Sequence, residues 1–291
     1  MTGIQWTDEV WNPTTGCDKI SPGCGLPRFE GDDTGGCYAL AMAKRLKGMG
    51  SAKYQNDGDP RTSGPGFGLT VHPAALTVPL KWRKPRRVFV NSMSDLFHAR
   101  VPVEFIAQVW VTMARTPQHT YQILTKRPER GRAIVGEGID GGCRLLEELH
   151  READALALYD ATWPLQNVWL GTSIELDRYA RRADELRATD AAVRFLSLEP
   201  LLGPLPSLDL AGIDWAIIGG ESGPGSRPLE LGWVRDLIAR CRETATAVFV
   251  KQLGTQWARE SGSSDKGGDW SAWPEDLKVR DFPRAAEPVP A

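Results

Sequence analysis

The sequence predicts an α/β fold: a partial (β/α) barrel of about six to seven parallel strands behind an N-terminal cysteine loop. Three observations carry that expectation. Short apolar runs rich in β-branched and aromatic residues alternate with helical patterns. The runs are almost continuously apolar, as strands buried on both faces are. Each run ends in a cluster of polar residues, and the carboxyl ends of parallel strands are where such folds place their ligands.

Six runs qualify as strands. RRVFVNSMSD (Arg86 to Asp95) leads into PVEFIAQVWVTMART, where Ile106, Val109, Trp110 and Met113 share a helical face. HTYQILTKRP closes at Pro128, and an insertion of helical character spans about 133–164. NVWLGTSIE (Asn167 to Glu175) precedes the charged helix LDRYARRADELRA, and VRFLSLEPLLGP (Val193 to Pro204) follows. IDWAIIGGESGPG (Ile213 to Gly225) feeds the helix LGWVRDLIARCRE, and AVFVKQLG ends the series at Gly254. A seventh strand is expected near GIQW, ahead of the cysteine loop. The organisation is one barrel-like domain over residues 1–258, with the cysteine loop at 14–38, and a polar tail over 259–291 in which Trp270 and Trp273 are candidate anchors. The stretch from Gly48 to Pro73 is a long Gly/Pro-rich loop of the kind that is functional or disordered.

Composition sets limits on function. A chain of 291 residues with 41% hydrophobic and 25% charged residues is an ordinary globular length and mixture. A net charge of −2 and a pI near 6.1 argue against coating nucleic acid by charge alone. No apolar run reaches the roughly 20 residues of a membrane span, and MTGIQWTDEVWN has neither the basic end nor the apolar core of a signal peptide. A cytoplasmic protein with no membrane partner is expected, in which the five cysteines stay reduced.

Three of those cysteines, Cys17, Cys24 and Cys37, stand in one loop with spacing Cys-x6-Cys-x12-Cys. Gly and Pro bound every gap, so the backbone can fold tightly and bring thiolates together. Three thiolates leave one coordination position open, the mark of a working centre, and soft sulfur ligands suit a four-iron cluster. Two alternatives stay open: a zinc site completed by His72 or His98, and unrelated buried thiols. Cys241 shares a helical face with Val234, Leu237 and Ile238 and reads as core, and Cys143 lies in the insertion. No Gly-x-Ser-x-Gly elbow ends a strand, which argues against a hydrolase.

The runs WTDEVWNPTTGC, SPGC, CYALAMAKRLKGMG, VFVNSMSDLFH, QILTKRP, RFLSLEPLLGP and IIGGESGPGSRP, from about Gly3 to Gly254, resemble a phage-associated family known for a three-cysteine motif and of unassigned activity. That family is in turn similar to radical S-adenosylmethionine (SAM) enzymes. The resemblance implies a radical-SAM-like partial barrel, a [4Fe-4S] cluster on Cys17, Cys24 and Cys37, and SAM bound at the open iron. It also implies an electron donor that reduces the cluster and cleaves SAM to a 5′-deoxyadenosyl radical. The best-known radical SAM spacing, Cys-x3-Cys-x2-Cys, is shorter, and GLPRFEGDDTGG fills the last interval here, with Gly36 where an aromatic usually precedes the third cysteine. Asn91, Ser92, Ser94 and Asp95 become candidates for the SAM amino group, Ser173 and Glu175 for its ribose or carboxylate, and Gly219, Gly220 and Glu221 for a glycine-rich contact. Glu199 joins them as a strand-end carboxylate. Lys126 and Arg127 are the candidates for a substrate phosphate or carboxylate, consistent with a nucleotide or nucleic-acid base as substrate. The rival class is a non-catalytic module in which zinc or a cluster organises a loop for a nucleic-acid or protein partner.

Overall fold

A computed structural model describes residues 3–30, 32, 36–55, 67–136, 144, 147, 151–263 and 266–284. The strands in chain order are β1 (Glu9–Trp11), β2 (Thr14–Thr15), β3 (Thr70–Val71), β4 (Arg87–Val90), β5 (Thr120–Thr125), β6 (Val168–Ser173), β7 (Val193–Leu198), β8 (Trp215–Gly219) and β9 (Ala247–Gln252). Seven form one sheet in the order β1-β4-β5-β6-β7-β8-β9. The pairs β1–β4, β4–β5, β7–β8 and β8–β9 are parallel. Sequential order with unjoined ends is the topology of an incomplete (β/α) barrel, as the alternating apolar runs predict. Every residue of β6 and of β8 is buried, which is why those runs carry no alternation. Among the described residues no helix is long and apolar enough to cross a membrane.

The seventh strand lies just beyond GIQW, at Glu9–Trp11. Acidic neighbours hide it in the sequence. Asp8 and Glu9 look like solvent-facing residues, but their carboxylates meet Arg87 at 3.1 Å and Arg86 at 2.6 Å. Trp11 is buried and donates its indole N–H to Ala75 O at 2.8 Å.

The chain divides into two compact units, Met1–Asp18 with Ala39–Gly171 and Ala188–Ala192, and Lys19–Tyr38 with Thr172–Arg187 and Val193–Ala291. In the first unit, α2 (Val103–Ala114) buries the face predicted for it, Ile106, Val109, Trp110 and Met113, after α1 (Tyr38–Gly48) has followed the cysteine loop. The alanines of α1 make room: Ala43 is fully buried with Tyr54, Phe67 and Met93, and Ala39, Leu40, Met42, Leu46 and Cys17 pack around them. Tyr54 and Phe67 belong to the long Gly/Pro-rich loop, whose far end pairs antiparallel with Thr14–Thr15 through Thr70–Val71; its residues 56–66 lie outside the described set. Helix α3 (Pro128–Gly136) starts ahead of the insertion and runs into it, and α4 (Glu152–Tyr159) lies within it, where Asp154 meets Arg115 at 2.7 Å.

In the second unit, α5 (Arg182–Arg187), α6 (Leu231–Glu243) and α7 (Thr255–Ser261) accompany β7, β8 and β9. The C-terminal segment runs back along β9: Val250 donates to Val279 O at 2.8 Å, and Asp281 donates to Val248 O at 2.7 Å. Phe282 stacks on Trp215 and Phe249, Arg280 lies over Trp270 at 4.5 Å, and Trp273 is buried. An edge strand whose amides and carbonyls are paired in this way is closed to other chains.

Three histidines of the first unit share one condition. Burial is the main reason that His72, His98 and His119 all have pKa values below 6.5. A base whose pKa is depressed on folding binds fewer protons folded than unfolded, so stability rises with pH between the two values. The stability they confer is present above about 6.5 and is lost as pH falls toward the lower folded values. The melting temperature should therefore decline from pH 7 to pH 5, and His98→Gln should flatten part of that decline; a flat or rising profile in the parent contradicts it.

Candidate functional site

At the end of β4 the predicted site residues hold the chain that carries Cys17. Asn91 adopts φ 62°, a left-handed conformation that asparagine tolerates, and its Oδ1 accepts from Thr14 N–H at 3.3 Å. Ser92 donates to Asn12 Oδ1 at 3.3 Å. Ser94 accepts from the Thr14 hydroxyl at 2.9 Å and donates to Gly16 O at 2.7 Å. The NSMSD run is thus a clip for the segment just before the first cysteine. The buried Nδ2 of Asn91 has no hydrogen-bond partner among the described residues.

Asp95 is saturated by its own unit. Oδ1 accepts from Phe97 N–H and from the Thr125 hydroxyl, at 3.0 and 2.7 Å, and Oδ2 accepts from Lys126 N–H and Arg127 Nη1, both at 3.0 Å. Arg127 Nη1 also donates to Cys17 Sγ at 3.4 Å. Burial works against the guanidinium's charge, but Asp95 and Cys17 beside it prevail, and its pKa is raised. Cys17 Sγ therefore sits against a permanent cation, and it also donates to Asp18 O at 3.5 Å. Both histidines proposed for zinc are engaged elsewhere: His72 Nε2 meets Thr15 Oγ1 at 2.8 Å and His98 Nε2 meets Asp18 Oδ2 at 2.9 Å. His98 Nδ1 accepts from Arg100 N–H, so the ring's proton lies on Nε2 and points at Asp18.

In the second unit the cysteine loop is gripped at SPGC. Ser21 donates to Glu175 Oε1 at 2.6 Å, and the fully buried Glu175 takes Arg182 on its other oxygen at 3.2 Å. Arg182 also donates to Ser173 O, at the end of β6, and lies 4.2 Å above the Tyr179 ring. Gly23 is pressed so close that a Cβ there would stand 2.4 Å from Glu175 Oε1. From the loop after β8, Arg227 grips Glu221 with Nε and Nη2 at 2.8 and 2.6 Å and donates Nη2 to Pro22 O at 2.9 Å. Glu199, after β7, is held by Lys251 at 2.8 Å and by Gln252 at 2.9 Å. Gly219 and Gly220 are closed in: a Cβ on the first would stand 3.1 Å from Glu199, and one on the second 2.5 Å from Leu253 O.

Gly25 takes φ 82°, and a Cβ on it would lie 3.2 Å from Gly36 Cα and 3.4 Å from Cys37 N. The chain that leaves Cys24 thus returns to its starting point at Cys37, so the twelve intervening residues form a loop with a closed neck. Cys17, Cys24, Cys37 and Cys241 are reduced thiols, and Cys143 lies outside the described residues. Cys17 belongs to the first unit, Cys24 and Cys37 to the second. Among the described residues no three His, Cys, Asp or Glu side chains are gathered as for a metal ion. Burial pushes the Cys241 thiol up to about 12, the state of a core cysteine.

Ser21, Arg182 and Arg227 escape a reading of the sequence. Arg182 lies in a run that reads as a solvated helix face, and Arg227 stands six residues after Glu221 across a Gly/Pro turn. The signal that points to them is the excess of strand-end carboxylates, each of which needs a cation when taken out of water.

These features define an α/β protein that fixes a thiol-bearing loop with side chains from its strand ends. The model of a family described as a protein of unknown function (DUF5131) matches residues 1–276, and the chain belongs to that family. No curated protein and no solved structure matches the chain.

The grip on SPGC has a direct test. Gly23→Ala must lift the loop off Glu175, so Cys24, buried in the parent, should react with a thiol reagent faster. A rise of roughly tenfold corresponds to about 1.4 kcal/mol of lost docking. An unchanged rate, measured with chelator present, would mean that the loop is held elsewhere.

Proposed function

We propose that the protein is a radical SAM-type iron–sulfur enzyme in which Cys17, Cys24 and Cys37 hold a [4Fe-4S] cluster and SAM is the small-molecule cofactor, in kinship with the phage-associated three-cysteine family. The observation that supports this best is the treatment of the thiols. All three are reduced, Cys17 accepts a hydrogen bond from the Arg127 guanidinium, and the backbone beside Cys24 is gripped by Ser21–Glu175 and Pro22–Arg227. The donor set fits the group: soft thiols in a glycine-bounded loop suit iron–sulfur rather than a hard cation. When bound and reduced by an electron donor, the cluster supplies the electron for reductive cleavage of SAM.

The chain's own residues have separable roles. Asp95 orients Arg127, and Arg127 keeps Cys17 in a cationic setting. Asn91 contributes a buried amide nitrogen with no acceptor among the described residues, available to a ligand oxygen. Ser92, Ser94, Ser173, Glu175, Glu199, Gly219, Gly220 and Glu221 shape the strand ends within their own units. Lys126 and Arg127 are assigned to a nucleotide or nucleic-acid base as substrate, in a phage-linked modification.

Anaerobic purification with iron and sulfide analysis tests the reading. The expected outcome is a brown protein with about four irons per chain, which forms 5′-deoxyadenosine from SAM and reductant. Each Cys→Ala change should abolish the colour. Deleting residues 27–34 should leave it near the parent level, because the neck at Gly25 and Gly36 is already closed. Stoichiometric zinc without iron after reconstitution would replace this reading with the metal-stabilised binding module.

A further inference from the structure

The loop after β8 contains a buried cation that its surroundings do not complete. Arg227 is 2% exposed. Its Nε and Nη2 are used by Glu221 and Pro22 O, but Nη1 has no hydrogen-bond partner among the described residues. The neighbouring Ser226 is also buried, and its Oγ has none there either. A buried donor left unmade costs about 1–3 kcal/mol, and more when charged, so each of the two calls for an acceptor.

One carboxylate stands close to Nη1 without reaching it. Asp32, from the closed loop between Cys24 and Cys37, is buried, and its Oδ2 lies 4.0 Å from Nη1, beyond hydrogen-bond reach. That same oxygen is held by Arg28, through Nε at 2.8 Å and backbone N–H at 3.0 Å. Asp32 thus neutralises the Arg227 region at a distance without completing it. Glu221 already cancels one charge, so with Asp32 in place the four groups Arg28, Asp32, Glu221 and Arg227 sum to zero. Without Asp32 they carry one net positive charge, at a site with a guanidinium arm and a hydroxyl to offer.

We propose that Arg227 Nη1 and Ser226 Oγ form an anion site for the carboxylate or phosphate group of a ligand, and that Asp32 is the chain's own competitor for it. An arriving oxyanion supplies the missing acceptor for Nη1 at charge-assisted hydrogen-bond distance, and takes over the neutralising role of Asp32, which stays bonded to Arg28. Asp32, within the loop that the cluster reading treats as a bulge, then has a function: its charge sets how strongly an anion binds. The site needs no metal and stands apart from the cluster assignment.

The test uses the full chain and inorganic phosphate, titrated by the shift in melting temperature at constant ionic strength, with acetate as the second probe. Asp32→Asn keeps the shape of the side chain and removes its charge, and should bind phosphate at least roughly tenfold more tightly than the parent, the factor for one displaced charge partner of about 1.4 kcal/mol. Ser226→Ala in the Asp32→Asn background deletes only an unpartnered hydroxyl oxygen, and should lose most of the gain while still folding. A gain with both probes identifies a site for any small oxyanion, and a gain with phosphate alone identifies a phosphate ester site. If Asp32→Asn and the parent respond alike to both anions, or if Ser226→Ala leaves the gain intact, the proposal is overturned. Arg227→Lys, which keeps the charge and loses the fork, should abolish the response; persistence of the response would place the anion elsewhere and overturn the proposal equally.

Discussion

A carboxylate removed from water must be matched by a cation, and that constraint organises the strand ends of this protein. An unpaired buried charge costs several kcal/mol, about 3–5 when a partner is deleted. Asp95, Glu175, Glu199 and Glu221 follow β4, β6, β7 and β8, and each has its own basic partner: Arg127, Arg182, Lys251 and Arg227. The partners come from a later strand or strand end, from a helix turn or from the following loop. Pairing therefore does more than neutralise charge, because each pair pins a connection that would otherwise be free to move. Arg127 reaches Cys17, and Arg227 reaches Pro22, only because an acid has fixed the guanidinium first.

The cysteine loop is held through its short polar and small residues rather than through its thiols. Ser21 is there because its hydroxyl reaches Glu175, and Gly23 because no Cβ fits against that carboxylate. In the first unit the corresponding work falls to Asn91, Ser92 and Ser94, which hold Thr14, Asn12 and Gly16. Residues that look like ligands in the sequence are thus largely committed to the backbone that precedes a cysteine. Asn91 is the informative exception, since its amide oxygen is used and its nitrogen has no hydrogen-bond partner among the described residues. A left-handed asparagine with half its hydrogen-bonding capacity unspent is a stronger pointer to a ligand than a serine whose hydroxyl is already shared.

The strands are legible because buried parallel strands have a signature that survives without an alignment: WAIIG is apolar and buried throughout, and VRFLSL is so at most of its positions. The strand Glu9–Trp11 is harder to place because Asp8 and Glu9 mask it, and only the partners Arg86 and Arg87, far along the chain, explain the acids. Side-chain roles are less legible for the same reason. A carboxylate at a strand end announces that something cationic is needed, but a single sequence does not say whether a ligand or the chain supplies it. For Asp95 the chain does so completely, with four donors on two oxygens. Arg182 reads as solvent-facing because acids interleave its helix, whereas its guanidinium turns inward to Glu175 and over Tyr179.

The contrast among the cysteines gives the thiol chemistry its direction. Cys241 is enclosed by the apolar face of α6 and is held as an inert thiol by burial. Cys17 also packs against apolar neighbours, yet it is given a cation that Asp95 keeps in place. A chain that needed only a small hydrophobe at position 17 would gain nothing from partly burying a guanidinium beside it, since desolvating that charge is unfavourable and Asp95 is buried with it. The Arg127–Asp95 pair makes sense if the sulfur it faces carries negative charge for part of the protein's working life. That is the property the proposed cluster would require of Cys17. At Arg227 two arms of the buried fork are satisfied, and the third has no hydrogen-bond partner among the described residues. Arg227 is buried and Arg127 partly so, and in both places the charge faces the loop that carries the cysteines.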